Sequence, residues 1–250
     1  MTYVLVIVGL FLALPASCQI GYRLGRRAAA GKDEGEKTHA SAWQAALLGL
    51  AALLIGFTFS MAQARYDARK QIVLGKANEI GTTYLRTHLI DEAHGEEIRA
   101  LLRRYVDARL AFAEGGLDRE RNEALLRQSS ELEEQIWARV AAAGRADRSG
   151  VTALLVASTN GMIDAGEEHL AALANPLPST VFLVLVLVTA VAMAAVGYGC
   201  GLEGRMRALG MFVAPMVLAA VIGLVFDLSY PRLGIIRVRD PILTRLKQSF

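Results

Sequence analysis

The residues best suited to chemistry in this sequence follow one another along a single segment, where an uncharged run gives way to charged side chains. Arg65, Arg69, Lys76 and Glu79 recur at spacings that place them on one stripe of a helix, and such a charged stripe is typical of a solvated face. Phe57 and Met61, in the uncharged run just before them, lie on the same side. In a ring of subunits, large apolar side chains form a constriction that can dewet, and charged side chains beside it select ions by sign. The segment therefore predicts an ion pathway.

The apolar side of this run is formed by Leu54, Phe57 and Met61. Two interpretations of it stay open, because these side chains would either contact lipid or form the neck of a pore. At the adjacent mouth, Arg65 and Arg69 favour anions, whereas Glu79 on the same stripe would form a ring for cations. The sequence thus favours anion permeation without deciding it.

Another side of the same run contains only small residues, namely Ala45, Gly49, Ala52, Gly56 and Ser60. In lipid, helices associate by van der Waals contact, and small residues let their backbones approach closely. We therefore expect this side to pack against another helix.

Further candidate ionisable residues are acidic and lie outside this stripe. Asp227 ends the last apolar run, where a carboxylate is costly and has to be paired or face water. Arg232, Arg65 and Arg69 are the predicted partners, and a structural ion pair is favoured over an ion site. Asp67 and Asp164 are further candidates for such pairs.

Catalytic and metal-binding patterns do not emerge from the remaining polar residues. The four histidines have no ligand spacing: His39, His88, His94 and His169. Two cysteines far apart in sequence form no disulfide framework, and the GxGxxG match at 199–204 follows no strand. We expect no metal, no cofactor and no enzymatic activity.

The elements that must position these residues are apolar helices. The chain has 250 residues, 54% of them hydrophobic and 20% charged, and the apolar residues concentrate at about 3–20, 42–64, 181–201 and 209–228. Each run is close to the roughly 20 residues that cross a bilayer as a helix. The first could instead be a signal peptide, but no Lys or Arg precedes it, which favours an uncleaved helix.

The residues between the second and third runs have the periodicity of amphipathic helices. Four helices are predicted, at about 64–89, 95–112, 118–143 and 149–173, with Asp118 and Ser149 as N-caps. The predicted fold is an all-α membrane protein with four transmembrane helices and an amphipathic helical bundle inserted between spans two and three. Its predicted domains are spans one and two at 1–62, the bundle at 63–178, spans three and four at 179–230 and a basic tail at 231–250.

The charge distribution indicates a lipid partner rather than a nucleic acid. The net charge is +3, and the basic excess flanks the first and last apolar runs, where anionic headgroups would lie. Basic residues are nearly balanced between the two possible sides, so the positive-inside rule does not decide the orientation.

Three segments resemble the bacterial bestrophin-like membrane proteins. They are LLIGFTFSMAQARYDARKQIVLGKANEIGTTYLR at 53–86, NGMID at 160–164 and FDLSYPRLG at 226–234. True bestrophins are homopentameric ion channels with cytosolic helices between spans two and three and a pore lined by span two. The resemblance implies a ring of subunits in the bacterial inner membrane, conducting inorganic ions, with the bundle and both termini in the cytoplasm. The sequence lacks an obvious copy of their acidic calcium clasp, so calcium gating is not implied.

The leading hypothesis is therefore a homo-oligomeric ion channel. The alternative is a membrane-anchored helical module that binds a protein partner or senses a signal without conducting ions. An anchor would need neither two unlike faces on span two nor a helix that continues from lipid into water.

Overall fold

A computed structural model describes residues 2–29, 34–204, 209–232, 234, 236 and 241–250. The α-helices among them are α1 (Thr2–Ala28), α2 (Glu34–Arg86), α3 (Glu92–Glu114), α4 (Arg119–Ala146), α5 (Gly150–Leu173), α6 (Ser179–Leu202), α7 (Ala214–Ser229) and α8 (Pro241–Gln248). A 3-10 turn, Thr87–Leu89, follows α2, and a π-helical turn, Leu209–Val213, precedes α7. The described residues form no strand, so the predicted all-α fold is confirmed.

Among the described residues, four helices are long and apolar enough to cross a membrane, as predicted. Their spans are Tyr3–Ala28, Thr38–Leu89, Ser179–Leu202 and Met211–Ser229. The second candidate span belongs to α2, which begins at Glu34. Residues 31–33 and 205–208 lie outside the described residues, as does much of the basic tail.

The chain divides into two compact units. Unit 1 is Met1–Arg65 with Leu177–Ile236, and unit 2 is Tyr66–Pro176 with Arg237–Phe250. Helix α2 contributes its first part to unit 1 and its last part to unit 2. The four domains proposed from the sequence stay a prediction.

In unit 1, α1 and α6 approach so closely that glycines are required at their contact. A Cβ on Gly21 would lie 1.9 Å from the Ala194 carbonyl oxygen, and one on Gly197 would lie 1.9 Å from the Cys18 carbonyl oxygen. One turn further along α6, a Cβ on Gly201 would lie 2.3 Å from the backbone of α1. Of the glycines in the GxGxxG match, Gly201 therefore serves helix packing, which small residues permit in lipid.

In unit 2, α3, α4 and α5 surround an apolar core with the last part of α2. Ile80, Leu102, Ile136 and Leu155 are completely buried there. The predicted N-caps are confirmed. Asp118 Oδ1 accepts a hydrogen bond of 3.0 Å from the Arg121 N–H, and Ser149 Oγ accepts one of 3.4 Å from the Thr152 N–H.

Helix α8 was not predicted, and it packs into the core of unit 2. Leu243 is completely buried, and Phe250 stacks on Tyr84 with ring centroids 3.9 Å apart. Tyr84 Oη donates a hydrogen bond of 3.0 Å to the Phe250 carbonyl, and Lys247 pairs with Asp107 at 2.7 Å. Ile242 and Leu246 pack against the same core, so one side of this short amphipathic helix is buried on unit 2.

Candidate functional site

The part of α2 in unit 1 has three faces with different surroundings. One face is buried against the unit and consists of Ala51, Ile55, Thr58 and Ala62. The small-residue face is exposed along its length, at Ala45, Gly49, Ala52, Gly56 and Ser60. A Cβ on Gly49 or Gly56 would meet no atom within 4 Å, so this face has no close neighbour among the described residues of unit 1.

The third face carries the predicted neck residues. Phe57 is 62% exposed and Met61 is 43% exposed, one helical turn apart on the same side. Leu54 is partly buried, and it lines a groove of about 240 Å³ together with Val184 and Leu185 of α6. Phe57 and Met61 therefore point away from unit 1, whereas Leu54 lies between that outward face and α6.

The predicted charged stripe does not share one environment. Arg65, the last residue of α2 in unit 1, is partly exposed. In unit 2, Arg69 is only 3% exposed, in contrast to the solvated position that we expected. Arg69 follows Ala62 by seven residues, or two helical turns, so it continues the buried face of α2 rather than the face of Met61.

Glu79 and Asp164 meet at a groove in unit 2. The groove has a volume of about 530 Å³ and lies between α2 and α5, lined by Gln71, Ile72, Gly75, Lys76, Glu79, Gly161, Asp164, Ala165 and Glu168. Glu79 is partly exposed and approaches Gly161 so closely that a Cβ there would lie 2.8 Å from Glu79 Oε2. Asp67, also predicted as an ion-pair residue, is exposed on α2.

Lys76 is the groove residue that sequence reasoning placed wrongly. It was expected on a solvated stripe, but its side chain is 1% exposed and Nζ lies 3.3 Å from Nδ1 of His169. Lys76 follows the apolar residue Val73 by three positions, which places both on one side of the helix, and Val73 is buried. This spacing was the sequence signal that Lys76 faces the core. Like Arg69, it lies on the edge of the core-facing stripe.

Asp227 is held by groups that the sequence analysis did not name. The side chain is 4% exposed; its Oδ1 accepts a hydrogen bond of 2.6 Å from the Tyr3 hydroxyl, and its Oδ2 accepts one of 2.8 Å from the Ile236 N–H. A Cβ on Gly234 would lie 2.3 Å from Asp227 Oδ1. Asp227 thus fixes the segment after α7, in which Arg232 is partly buried.

A second buried polar network joins α3, α4 and α5 in unit 2. Arg109 Nη2 donates to Glu133 Oε1 at 2.9 Å, and the Tyr105 hydroxyl donates to the same oxygen at 2.8 Å. Burial raises the pKa of Tyr105 well above its ordinary value. Gly166 of α5 lies directly against Arg109, where a Cβ would be 2.5 Å from Nη2. This network was not predicted, because its residues are far apart in sequence.

Metal-binding geometry is not found in the part of the chain that the structure describes, which contains no group of three or more His, Cys, Asp or Glu side chains suited to an ion. The site is therefore defined by helix faces and by the charges along α2. A comparison with family models decides which proteins share this arrangement: the Bestrophin-like domain matches residues 9–242. The chain belongs to the bestrophin-like family. The resemblance seen in the sequence is confirmed.

The bestrophin-like match extends from α1 into α8 and so includes residues of both units. It also contains every residue predicted for the neck and the mouth. Searches of the curated proteins and of the solved structures found no match.

Proposed function

We propose that this bestrophin-like protein is a homo-oligomeric ion channel in which α2 of each subunit lines a central pore and anions are the permeant ions. The observation that carries the proposal is the outward face of α2, where Phe57 and Met61 are exposed on a helix that continues to Arg65. Membership of the family supports it.

The two exposed faces of α2 support the arrangement of subunits in a ring. A pore-lining helix needs one face toward the axis and another toward its neighbour. The face of Phe57 and that of Gly49 and Gly56 lie about a third of a turn apart at 100° per residue. The glycines leave room for the close helix contact that drives association in lipid. Five subunits are proposed from the resemblance to true bestrophins.

The proposed neck consists of Phe57 and Met61, with Leu54 behind them. Rings of these side chains would form an apolar constriction that conducts only when it is hydrated. Beside it, Arg65 gives the pore a positive charge that favours anions. Two further charges lie on the part of α2 in unit 2. In this proposal Arg69 contributes a buried positive charge, and Glu79 contributes a negative charge that opposes it.

The proposed location is the bacterial inner membrane, with unit 2 and both termini in the cytoplasm. The four apolar helices support a membrane protein, and the orientation follows the resemblance. Cysteine labelling at position 130 on α4 tests it, because labelling from outside intact cells would contradict a cytoplasmic unit 2.

Ion selectivity in liposomes tests the proposal. Purified protein should carry chloride, and Arg65→Glu should shift the reversal potential in a salt gradient toward that of cations, whereas Arg148→Glu in unit 2 should not. A protein that remains monomeric in native mass measurements and carries no ion would contradict the channel.

The alternative function, a membrane-anchored interaction or sensor module, is favoured by apolar side chains on unit 2. Leu85 is 68% exposed, Leu89 is 63% exposed and Leu154 is 51% exposed. Such side chains are suited to a protein contact. This function would be preferred if reconstituted oligomers carry no ions and variants of these three leucines alone impair the protein in cells.

A further inference from the structure

Lys76 and His169 form a buried pair of basic side chains in unit 2. Lys76 on α2 is 1% exposed and His169 on α5 is 7% exposed, and Lys76 Nζ lies 3.3 Å from His169 Nδ1. An ammonium group has three donors and no acceptor, so the ring nitrogen that faces it has to be unprotonated. A charged Lys76 therefore requires a neutral His169 with its proton on Nε2.

The surroundings of the pair favour a charged Lys76. The titratable and charged groups on the helices around the pair include Arg69 and Glu79 on α2, Tyr105 and Arg109 on α3, Glu133 on α4, and Asp164 and Glu168 on α5. Arg109 and Glu133 are paired with each other at 2.9 Å and lie against Gly166, which precedes His169 on α5 by three residues. The three carboxylates of the groove, in contrast, line the same space as Lys76 and stabilise its positive charge.

Protonation of His169 would place a second positive charge against Lys76. Like charges in contact disfavour each other, most strongly where little water screens them. An ordinary histidine takes up its proton between about pH 8 and about pH 5. Because Lys76 lines an open groove, the pair has a route by which it can separate into water without unfolding unit 2.

We propose that the contact between Lys76 and His169 is a pH-sensitive joint, which loosens the packing of α2 on α5 when His169 takes up a proton. The joint gives the protein a response to acid through a helix that also contains Phe57 and Met61. A change in ion flux with pH would follow, and that consequence rests on the proposed channel. The loosening itself does not depend on it.

Hydrogen exchange of the full-length protein in detergent tests the joint. Amide protection in residues 70–80 and 162–172 is measured at about pH 7.5 and about pH 5, after correction for the intrinsic pH dependence of exchange. The wild type should lose about tenfold in protection at the lower pH in these segments. Equal protection at both pH values would overturn the proposal.

Two variants and a control identify the titrating group. His169→Gln keeps an acceptor for Lys76 but does not titrate, so its protection should change less than about twofold. Lys76→Met removes the positive charge that opposes protonation of His169, so its protection should also change less than about twofold between the two pH values. His39→Gln removes an exposed histidine of unit 1 and should respond like the wild type.

A His169→Gln protein that still loses protection in acid would refute the joint, as would a Lys76→Met protein that behaves like the wild type. Ion flux of the same proteins in liposomes is the second readout. If none conducts at either pH, the proposed channel fails, whereas the exchange rates still decide whether the joint exists.

Discussion

Replacing Gly197 with alanine tests how closely α1 and α6 pack in unit 1. The added Cβ would lie 1.9 Å from the Cys18 carbonyl oxygen and 2.9 Å from the Tyr22 backbone nitrogen. These atoms belong to the backbone of α1, so no side-chain rotation can relieve the overlap. Relief requires the two helices to separate or rotate, and a gap of about 1 Å already loses up to about half of each dispersion contact along them.

The magnitude follows from two opposing effects. Overpacking costs typically about 1–3 kcal/mol, and a rigid backbone contact favours the upper end. Alanine gains about 1 kcal/mol over glycine in a helix interior. We therefore expect Gly197→Ala to lower the free energy of unfolding by about 2 kcal/mol. Gly9→Ala on α1, which would meet no atom within 4 Å, is the matched control and should be neutral or slightly stabilising.

The assay is reversible unfolding of purified protein in mixed micelles, followed by circular dichroism with increasing denaturing detergent. Gly197→Ala should unfold at a lower detergent fraction than wild type, and Gly9→Ala at the same or a higher one. If the two variants were equally stable, the close contact between α1 and α6 would be wrong.

Three further predictions concern unit 2. Glu133→Gln should destabilise it by about 3 kcal/mol in denaturant unfolding, because Arg109 is 2% exposed and would lose its buried charge partner. Hydrogen bonds from the side chains of Ser149 and Thr152 lower the pKa of Asp147. The stabilising effect of its carboxylate is therefore present above an ordinary pKa of about 3.9 and is lost as pH falls through the lowered value. Asp147→Asn should abolish that part of the acid dependence of the melting temperature. Phe250→Ala removes the stacking on Tyr84 and should increase hydrogen exchange in α8, with little change in α4.

Local signals made the helices and their caps predictable. Asp118 and Ser149 each precede an amphipathic run, and a short polar side chain at that position satisfies the first N–H groups of a helix whatever surrounds it. The four apolar helices could be predicted equally well, because a run of about twenty apolar residues indicates a membrane span without reference to any other part of the chain.

Contacts between distant residues were not predictable in the same way. The sequence showed that α2 continues as a helix but not which edge of its charged stripe faces the core, so Arg69 and Lys76 were expected in water. Two hydrogen-bond donors to Asp227 lie 224 and 9 residues away, at Tyr3 and Ile236. Pairings of this kind depend on how the helices pack, which helical periodicity does not specify.

The glycines show the same limit. GxGxxG at 199–204 was correctly discounted as a dinucleotide motif, since no strand precedes it. Its actual role at Gly201 depends on the position of α1, to which nothing in the local sequence refers.

The measurement that tests the central claim most directly is single-channel recording of the purified oligomer in planar bilayers, with Phe57→Ala and Met61→Ala compared with Leu12→Ala. Leu12 is 67% exposed on α1 and serves as an apolar control outside the proposed pore. We predict that both neck variants increase the open probability or conductance, because smaller side chains lower the barrier to hydration, and that Leu12→Ala does not. Identical currents in all four proteins, or none in any, would contradict a pore lined by α2.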